Sequence, residues 1–253
     1  MNIGIWKGQW MTCNNTLAPT VASKWNEAHA KLFPAAQKII GSRGIVLANN
    51  MDFPQPDGSN GNSGRFFEEF IGHFDGYSVR GDIAKLQHEA SVGRFTEAHG
   101  DGPTMLGGAL AKTAEEIQHC WAQQLAAFLL GAGSRSYFYA SLGWSNLDGN
   151  YHPELYPPAL AKAWSWTSVH PDLARSLGVP LGLGTVTEGG GGFLYCRSFA
   201  AGTNVSFWCA SSACNSAEEA VGCIEWADGN VTGTCPPHPH RPSAPDTTAT
   251  LED

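Results

Sequence analysis

The sequence predicts an α/β protein in which helices alternate with parallel strands, followed by a smaller antiparallel β segment. Strand-like runs alternate with runs of helical spacing between residues 18 and 141, which is the pattern of βαβ units. The strand-like run over 44–50 is apolar until its polar end at Asn49, as in parallel sheets that are covered on both faces. From about Gly190, short strand-like runs separated by tight turns replace the alternation and indicate antiparallel hairpins.

The first helix is predicted over 18–37, because Trp25, Ala28 and Leu32 recur at helical spacing. The run over 44–50, which is apolar up to Asn49, then predicts a buried parallel strand, and a loop rich in Pro, Gly, Asn and Ser follows it. The next predicted elements are a strand, a helix and a strand over 65–70, 78–90 and 93–99.

The third predicted helix, over 113–130, has the most distinct boundaries. Thr113 and Glu116 have the spacing of a capping box at its start, and Gly131 ends it. A further strand is predicted over 136–141, and another around residues 3–6.

These strands and helices fall short of a closed barrel, since a complete (β/α)8 barrel takes about 250 residues. The sequence leaves two architectures open, an open parallel sheet or a barrel that lacks part of its ring. We expect the second, a (β/α)8 TIM-type barrel that is incomplete at its N-terminal side. The predicted division is a partial barrel over 1–185, a Cys-rich antiparallel β segment over 186–235 and a disordered tail over 236–253.

Composition narrows the class of partner. Hydrophobic residues make up 42% of the 253 residues, which is typical of a globular protein rather than a disordered one. The net charge of -8 and the lack of a basic stripe argue against nucleic acid and an anionic membrane surface as partners. Apolar runs of the roughly 20 residues that span a bilayer do not occur in the sequence.

The cysteines predict an extracellular location. Five of the seven lie between Cys196 and Cys235, in a segment that is too small to be stable without disulfides. N-glycosylation sequons begin at Asn14, Asn204 and Asn230. We therefore expect a secreted or cell-surface glycoprotein. Because the first residues do not form a signal peptide, we also expect that an N-terminal portion is missing.

Acidic residues lie at or near the carboxyl ends of the predicted strands, which is where ligands bind in parallel sheets. Glu68 and Glu69 lie at the end of the second strand, and Glu97 lies in the third. Two carboxyl groups suit glycoside hydrolysis, in which one protonates the leaving oxygen and the other acts as nucleophile or base. Strand alternation directs only one of Glu68 and Glu69 towards a site. The structural alternative for each residue is a helix cap or a solvated loop charge.

Aromatic and polar side chains at the same strand ends suit a sugar ligand. Aromatic rings stack on sugar faces, and Asn or His side chains hydrogen-bond hydroxyl groups. The predicted ligand-binding residues are Asn49, Asn50, His99, Asp101, Tyr137, Tyr139 and Trp144. The structural alternatives are a structural histidine with satisfied hydrogen bonds at 99, a turn at 101 and ordinary core or rim aromatics at Tyr137, Tyr139 and Trp144.

Several other kinds of site are disfavoured. The glycine run over 189–192 lacks the lysine and the strand-loop-helix setting of a phosphate loop. The segment 235–240 holds one Cys and two His, but its prolines and its place in the tail argue against a metal site. The Gly-x-Ser-x-Gly elbow of a serine hydrolase does not occur in the sequence. We expect neither a metal nor a cofactor.

Several short segments occur in a distinctive order along the chain, at 47–50, 67–70, 97–103, 126–133, 136–138, 153–156, 177–182 and 197–205. In this order they resemble the C-terminal half of glycosidase-like barrel proteins of the hypothetical glycosyl hydrolase family 15 type. The resemblance implies a TIM-type barrel entered partway round and a terminal β segment that closes it. It also implies that the glutamate of the segment 67–70 corresponds to the strand-end acid of that family. The earlier strands of the family have no match in residues 1–12.

These observations lead to an expected function and two alternatives. The expectation is an extracellular glycoside hydrolase that acts on a polysaccharide, with Glu68 as acid or base and Glu97 as its partner. The first alternative is a non-catalytic carbohydrate-binding or cell-surface protein on a decayed or truncated barrel. The second is a purely structural secreted domain. The unpaired edge of a partial barrel also predicts self-association.

Overall fold

The computed structural model of the protein describes residues 4–6, 9–11, 18–49, 63–71, 79–100, 113–140, 170–189, 192–210, 214 and 220–236. Within these residues the chain forms three α-helices and eleven strands. The strands form a two-stranded hairpin, a four-stranded sheet and a five-stranded sheet. None of the helices in this part of the chain is both long enough and apolar enough to cross a membrane.

The four-stranded sheet is parallel, and its strands lie side by side in chain order. The strands are β3 (Val46–Asn49), β4 (Ser63–Phe70), β5 (Phe95–Gly100) and β6 (Ser136–Ala140), and the helices are α1 (Ala18–Ile40), α2 (Val79–Ser91) and α3 (Ala114–Gly131). Each of these elements lies within three residues of the bounds that the sequence predicts. The helices and strands of this region therefore form where the residue patterns of the sequence predict them.

The prediction of a (β/α)8 TIM-type barrel is wrong. The described residues contain four parallel strands, and the five-stranded sheet is antiparallel and separate from them. Alternating helices and strands predict parallel pairing, but closure depends on strand number, tilt and shear, which the alternation does not encode. The strand predicted around 3–6 does not join the parallel sheet either, because β1 (Gly4–Trp6) pairs antiparallel with β2 (Gln9–Met11).

Helices α2 and α3 cover the same face of the parallel sheet, as right-handed crossovers between successive strands require. Phe138 of β6 contacts Trp121 and Phe128 of α3, with ring centroids 5.8 and 5.2 Å apart. Phe70 at the end of β4 contacts Phe128, with 6.3 Å between the ring centroids. These aromatic contacts pack α3 against β4 and β6.

Helix α3 begins at the capping box that the sequence predicts. The Thr113 hydroxyl accepts a hydrogen bond from the Glu116 N–H at 3.2 Å, and the Glu116 carboxylate accepts one from the Thr113 N–H at 3.0 Å. Two backbone donors at the helix start are thereby satisfied.

One buried side chain joins α1 to the edge of the parallel sheet. The Gln37 amide donates to the carbonyls of Gly41 and Gly44 at 3.0 Å each, and its oxygen accepts the Val46 N–H at 2.9 Å. These backbone groups lie where the chain turns from α1 into β3, so Gln37 fixes the start of β3.

The five-stranded sheet has the order β11-β10-β9-β8-β7. Its strands are β7 (Thr185–Gly189), β8 (Gly192–Ser198), β9 (Asn204–Cys209), β10 (Ala220–Glu225) and β11 (Val231–Gly233). Two disulfides stabilise it, one between Cys209 and Cys214 and one between Cys223 and Cys235, with Cα atoms 5.6 and 4.8 Å apart. Disulfides of this kind fit an extracellular protein.

Helix α3 lies between the two sheets and is buried on all sides over 120–131. On the side that faces β10, the Gln123 amide donates to the Ala220 carbonyl at 2.7 Å. Beside it, a Cβ at Gly222 would lie 2.5 Å from the Ala122 carbonyl oxygen, so only glycine allows this close approach of strand to helix. Residues of both sheets and of α3 form one hydrophobic core.

A buried carboxylate, Asp172, connects α3 to the far edge of the antiparallel sheet. It accepts hydrogen bonds from Trp121 Nε1 at 3.0 Å, from the Thr232 hydroxyl at 2.9 Å and from Arg175 Nε at 3.1 Å. The ring of His170 stacks on Trp121, with 4.0 Å between the centroids. Because Trp121 belongs to α3 and Thr232 to β11, this network fixes the position of β11 relative to α3.

Candidate functional site

The parallel sheet has a second face, opposite to α2 and α3. Ala98 and Phe138 are paired across β5 and β6 and pack into the core with α3. Side chains alternate along a strand, so the residues on either side of them point to the opposite face. We call this opposite face the aromatic face, and its described side chains include Phe66, Phe95, Glu97, His99, Tyr137 and Tyr139.

Aromatic rings of neighbouring strands stack on one another across this face. Phe95 and Tyr137 form one stack, with ring centroids 4.6 Å apart and planes 21° from parallel. His99 lies between Phe66 and Tyr139 in a second stack, with centroids 6.2 and 5.3 Å apart. The stacks hold the rings in fixed orientations.

The two tyrosines at the end of these stacks are open to solvent. Tyr137 is 55% exposed and Tyr139 is 40% exposed, although both are large aromatic residues within a strand. They lie in β6, one of the two edge strands of the described parallel sheet. One face of each ring lies against its stacking partner, and the exposed fractions leave part of each ring accessible to solvent.

A carboxylate lies among the rings. Glu97 is paired with Phe66 on one side and with Tyr137 on the other, and it is half-buried. Within the described part of the chain, the Glu97 carboxylate makes no hydrogen bond or ion pair. Burial raises the pKa of the Tyr139 hydroxyl above its usual value, and the negative charge of Glu97 raises it further. Among the described residues, the Glu97 carboxylate oxygens therefore have lone pairs that no donor uses.

The structure brings four of the predicted site residues together on the aromatic face, namely Glu97, His99, Tyr137 and Tyr139. Asn49 is paired with Phe66 in the sheet register, and its side chain is outside the described residues. Asn50, Asp101 and Trp144 also lie outside the described residues. The assembled residues are spread along the sheet face rather than gathered at the strand ends.

Glu68 and Glu69 lie in β4, next to β5, and their side chains are outside the described residues. The register between β4 and β5 shifts between Phe67 and Phe70. Both phenylalanines belong to the core even though they are three residues apart, so strict alternation does not continue from Phe67 to Phe70.

Two members of the aromatic face, Phe66 and Phe95, are not among the residues predicted from the sequence. Phe95 stands two residues before Glu97, and Phe66 is the residue paired with Glu97 on the next strand. Because every second residue of a strand lies on the same face, the position of Phe95 two residues before Glu97 could have identified it. Phe66 needs the register between strands, which the sequence does not specify.

The described residues contain no group of three or more His, Cys, Asp or Glu side chains placed to hold a metal ion. Neither a family model nor a curated protein matches the sequence. The resemblance to glycosidase-like barrel proteins therefore stays a prediction.

Proposed function

We propose that the protein binds carbohydrate through the aromatic face. The observation that carries the proposal is the pair of partly exposed tyrosines, Tyr137 and Tyr139, each stacked on another ring of the same face. Rings that are already held in place lose little conformational entropy when a ligand stacks on them. The Glu97 carboxylate beside them accepts hydrogen bonds from sugar hydroxyl groups.

Alanine variants of the two tyrosines test this proposal. Binding to a panel of soluble oligosaccharides would be measured by isothermal titration calorimetry for the native protein, Tyr137→Ala and Tyr139→Ala. We expect each variant to bind the preferred oligosaccharide roughly tenfold more weakly, because one stacking surface is lost. The control is Leu181→Ala, a change at an exposed apolar residue away from the parallel sheet. Equal weakening in the control would contradict a role for the aromatic face.

Glycoside hydrolysis is a second candidate function at the same place. The observation that favours it is the position of Glu68 in the sheet. Phe66 of β4 is paired with Glu97 of β5, and Glu68 follows two residues after Phe66 on β4. Hydrolysis needs two carboxyl groups about 5 Å apart for retention, or roughly 6.5 to 9.5 Å apart for inversion.

Glutamine variants separate binding from hydrolysis. Reducing-end release from the oligosaccharides that bind would be measured for the native protein, Glu68→Gln and Glu97→Gln. If the native protein hydrolyses the oligosaccharide, both variants lose this activity and Glu68→Gln still binds, the result supports a hydrolase. Binding without turnover in the native protein leaves a carbohydrate-binding protein.

We further propose that the protein is a secreted glycoprotein. The two disulfides support this, and so does Asn230, an exposed sequon residue in the turn between β10 and β11. Enzymatic removal of N-glycans from the protein secreted by eukaryotic cells should increase its gel mobility, and the Asn230→Gln variant should show a smaller increase.

A further inference from the structure

The charges of the parallel sheet are divided between its two faces. Arg65 is the only lysine or arginine in β3, β4, β5 and β6. It is buried and lies 3.8 Å from the Glu89 carboxylate of α2, so its charge belongs to the face that the helices cover. None of the four strands contributes a lysine or arginine side chain to the aromatic face.

Glu97 is therefore a negative charge on a face to which β3, β4, β5 and β6 contribute no lysine or arginine side chain. It is half-buried beside Phe66 and Tyr137, where the low local dielectric strengthens its interaction with an opposite charge. Aromatic rings also attract cations to their faces, which adds to the attraction of a carboxylate. The net charge of the chain, -8, favours the approach of cationic ligands.

From these observations we infer that the aromatic face selects sugars that carry a protonated amino group, that is, unacetylated amino sugars. Tyr137 and Tyr139 stack on the sugar rings, and the Glu97 carboxylate accepts a charge-assisted hydrogen bond from the ammonium group. A neutral sugar retains the stacking but lacks the ion pair. The inference rests on the proposed carbohydrate binding and adds the chemical class of the ligand.

Three oligosaccharides of equal length test the inference: a glucosamine oligomer, the N-acetylglucosamine oligomer and a neutral glucose oligomer. Binding would be measured at about pH 6, where amines are protonated and carboxylates ionised. We expect the glucosamine oligomer to bind roughly tenfold more tightly than the other two, and we expect this preference to weaken as salt is added. In Glu97→Gln the preference should fall to less than about twofold, because the ion pair is lost.

Controls separate the possible failures. Glu115→Gln, at an exposed glutamate in the first turn of α3, should keep the full preference, and circular dichroism should show that Glu97→Gln is folded. Equal binding of all three oligomers, weakened by Tyr137→Ala, would overturn the inference and leave carbohydrate binding intact. A preference that persists in Glu97→Gln would also overturn it. Failure of every oligomer to bind would overturn the proposed function together with the inference.

Discussion

Single residues of the aromatic face influence the protonation of their neighbours. Burial is the larger cause of the raised pKa of Tyr139, and the charge of Glu97 is the smaller cause. The two residues lie on adjacent strands and on the same side of the sheet. An alkaline titration of tyrosine absorbance therefore reports on the position of Glu97 without any ligand.

We expect Tyr139 to ionise above the usual tyrosine value of about 10, in a step that Tyr139→Phe removes. In Glu97→Gln this step should move to lower pH, because the negative charge that opposes tyrosinate is gone. It should still lie above the usual value, because burial remains. An unchanged step in Glu97→Gln would show that the Glu97 carboxylate is not near Tyr139.

At the scale of elements, α3 has the most demanding environment, because a sheet packs on each of its two sides. Its apolar run over 125–130 is a signal of this, since a helix that is apolar on every side is buried on every side. The partner on the second side is an antiparallel sheet that begins more than fifty residues later in the chain. Sequence periodicity describes one element at a time, so it does not identify such a partner.

The same limit explains which parts of the site are predictable. Glu97, His99 and Tyr139 can be found from the sequence, because each is polar or aromatic near the end of a predicted strand. Their common face follows from the period of two along β5 and β6. The aromatic stacks depend on the register between strands, and the local irregularity of β4 after Phe67 depends on packing against α3. Neither is encoded within a single strand.

Gly222 tests the close approach of β10 to α3. We expect Gly222→Ala to lower the free energy of unfolding by roughly 2 kcal/mol, because the new methyl group would overlap the Ala122 carbonyl. The matched control is Gly189→Ala in β7, where a Cβ meets no atom within 4 Å, and we expect no loss of stability there. Urea denaturation measures both. Equal stability of the two variants would mean that α3 and β10 move apart easily.

At the scale of the whole molecule, Asp172 connects parts of the chain that are far apart in sequence. We expect Asp172→Ala to lower the free energy of unfolding by about 3 kcal/mol, because the buried Trp121 N–H loses its acceptor and Arg175 loses a partner. Asp228→Ala is the control, since Asp228 also binds Arg175 but is largely exposed, and we expect it to lower stability much less than Asp172→Ala. Thermal melting compares the two, and a larger loss for Asp228→Ala would contradict this account.

The acid stability of the whole fold should depend on His170. Burial lowers the pKa of His170 below its usual value of 6.5, although Asp172 partly opposes this. Between the lowered pKa and 6.5 the unfolded chain binds more protons than the folded chain, so stability is lost as pH falls through that window. In His170→Gln the dependence of the unfolding free energy on pH should be flatter as the pH falls below about 6.5. The same slope in both proteins would assign the pH dependence to other groups.

The position of α3 between two sheets also has a consequence for synthesis on the ribosome. Helix α3 and the four described parallel strands have all emerged by residue 140, whereas β8, β9 and β10 follow over 192–225. Until then the second side of α3 is an uncovered apolar surface on a nascent chain, and such surfaces aggregate or recruit chaperones. The order of elements along the chain thus makes the growing polypeptide most vulnerable in the interval between its two sheets.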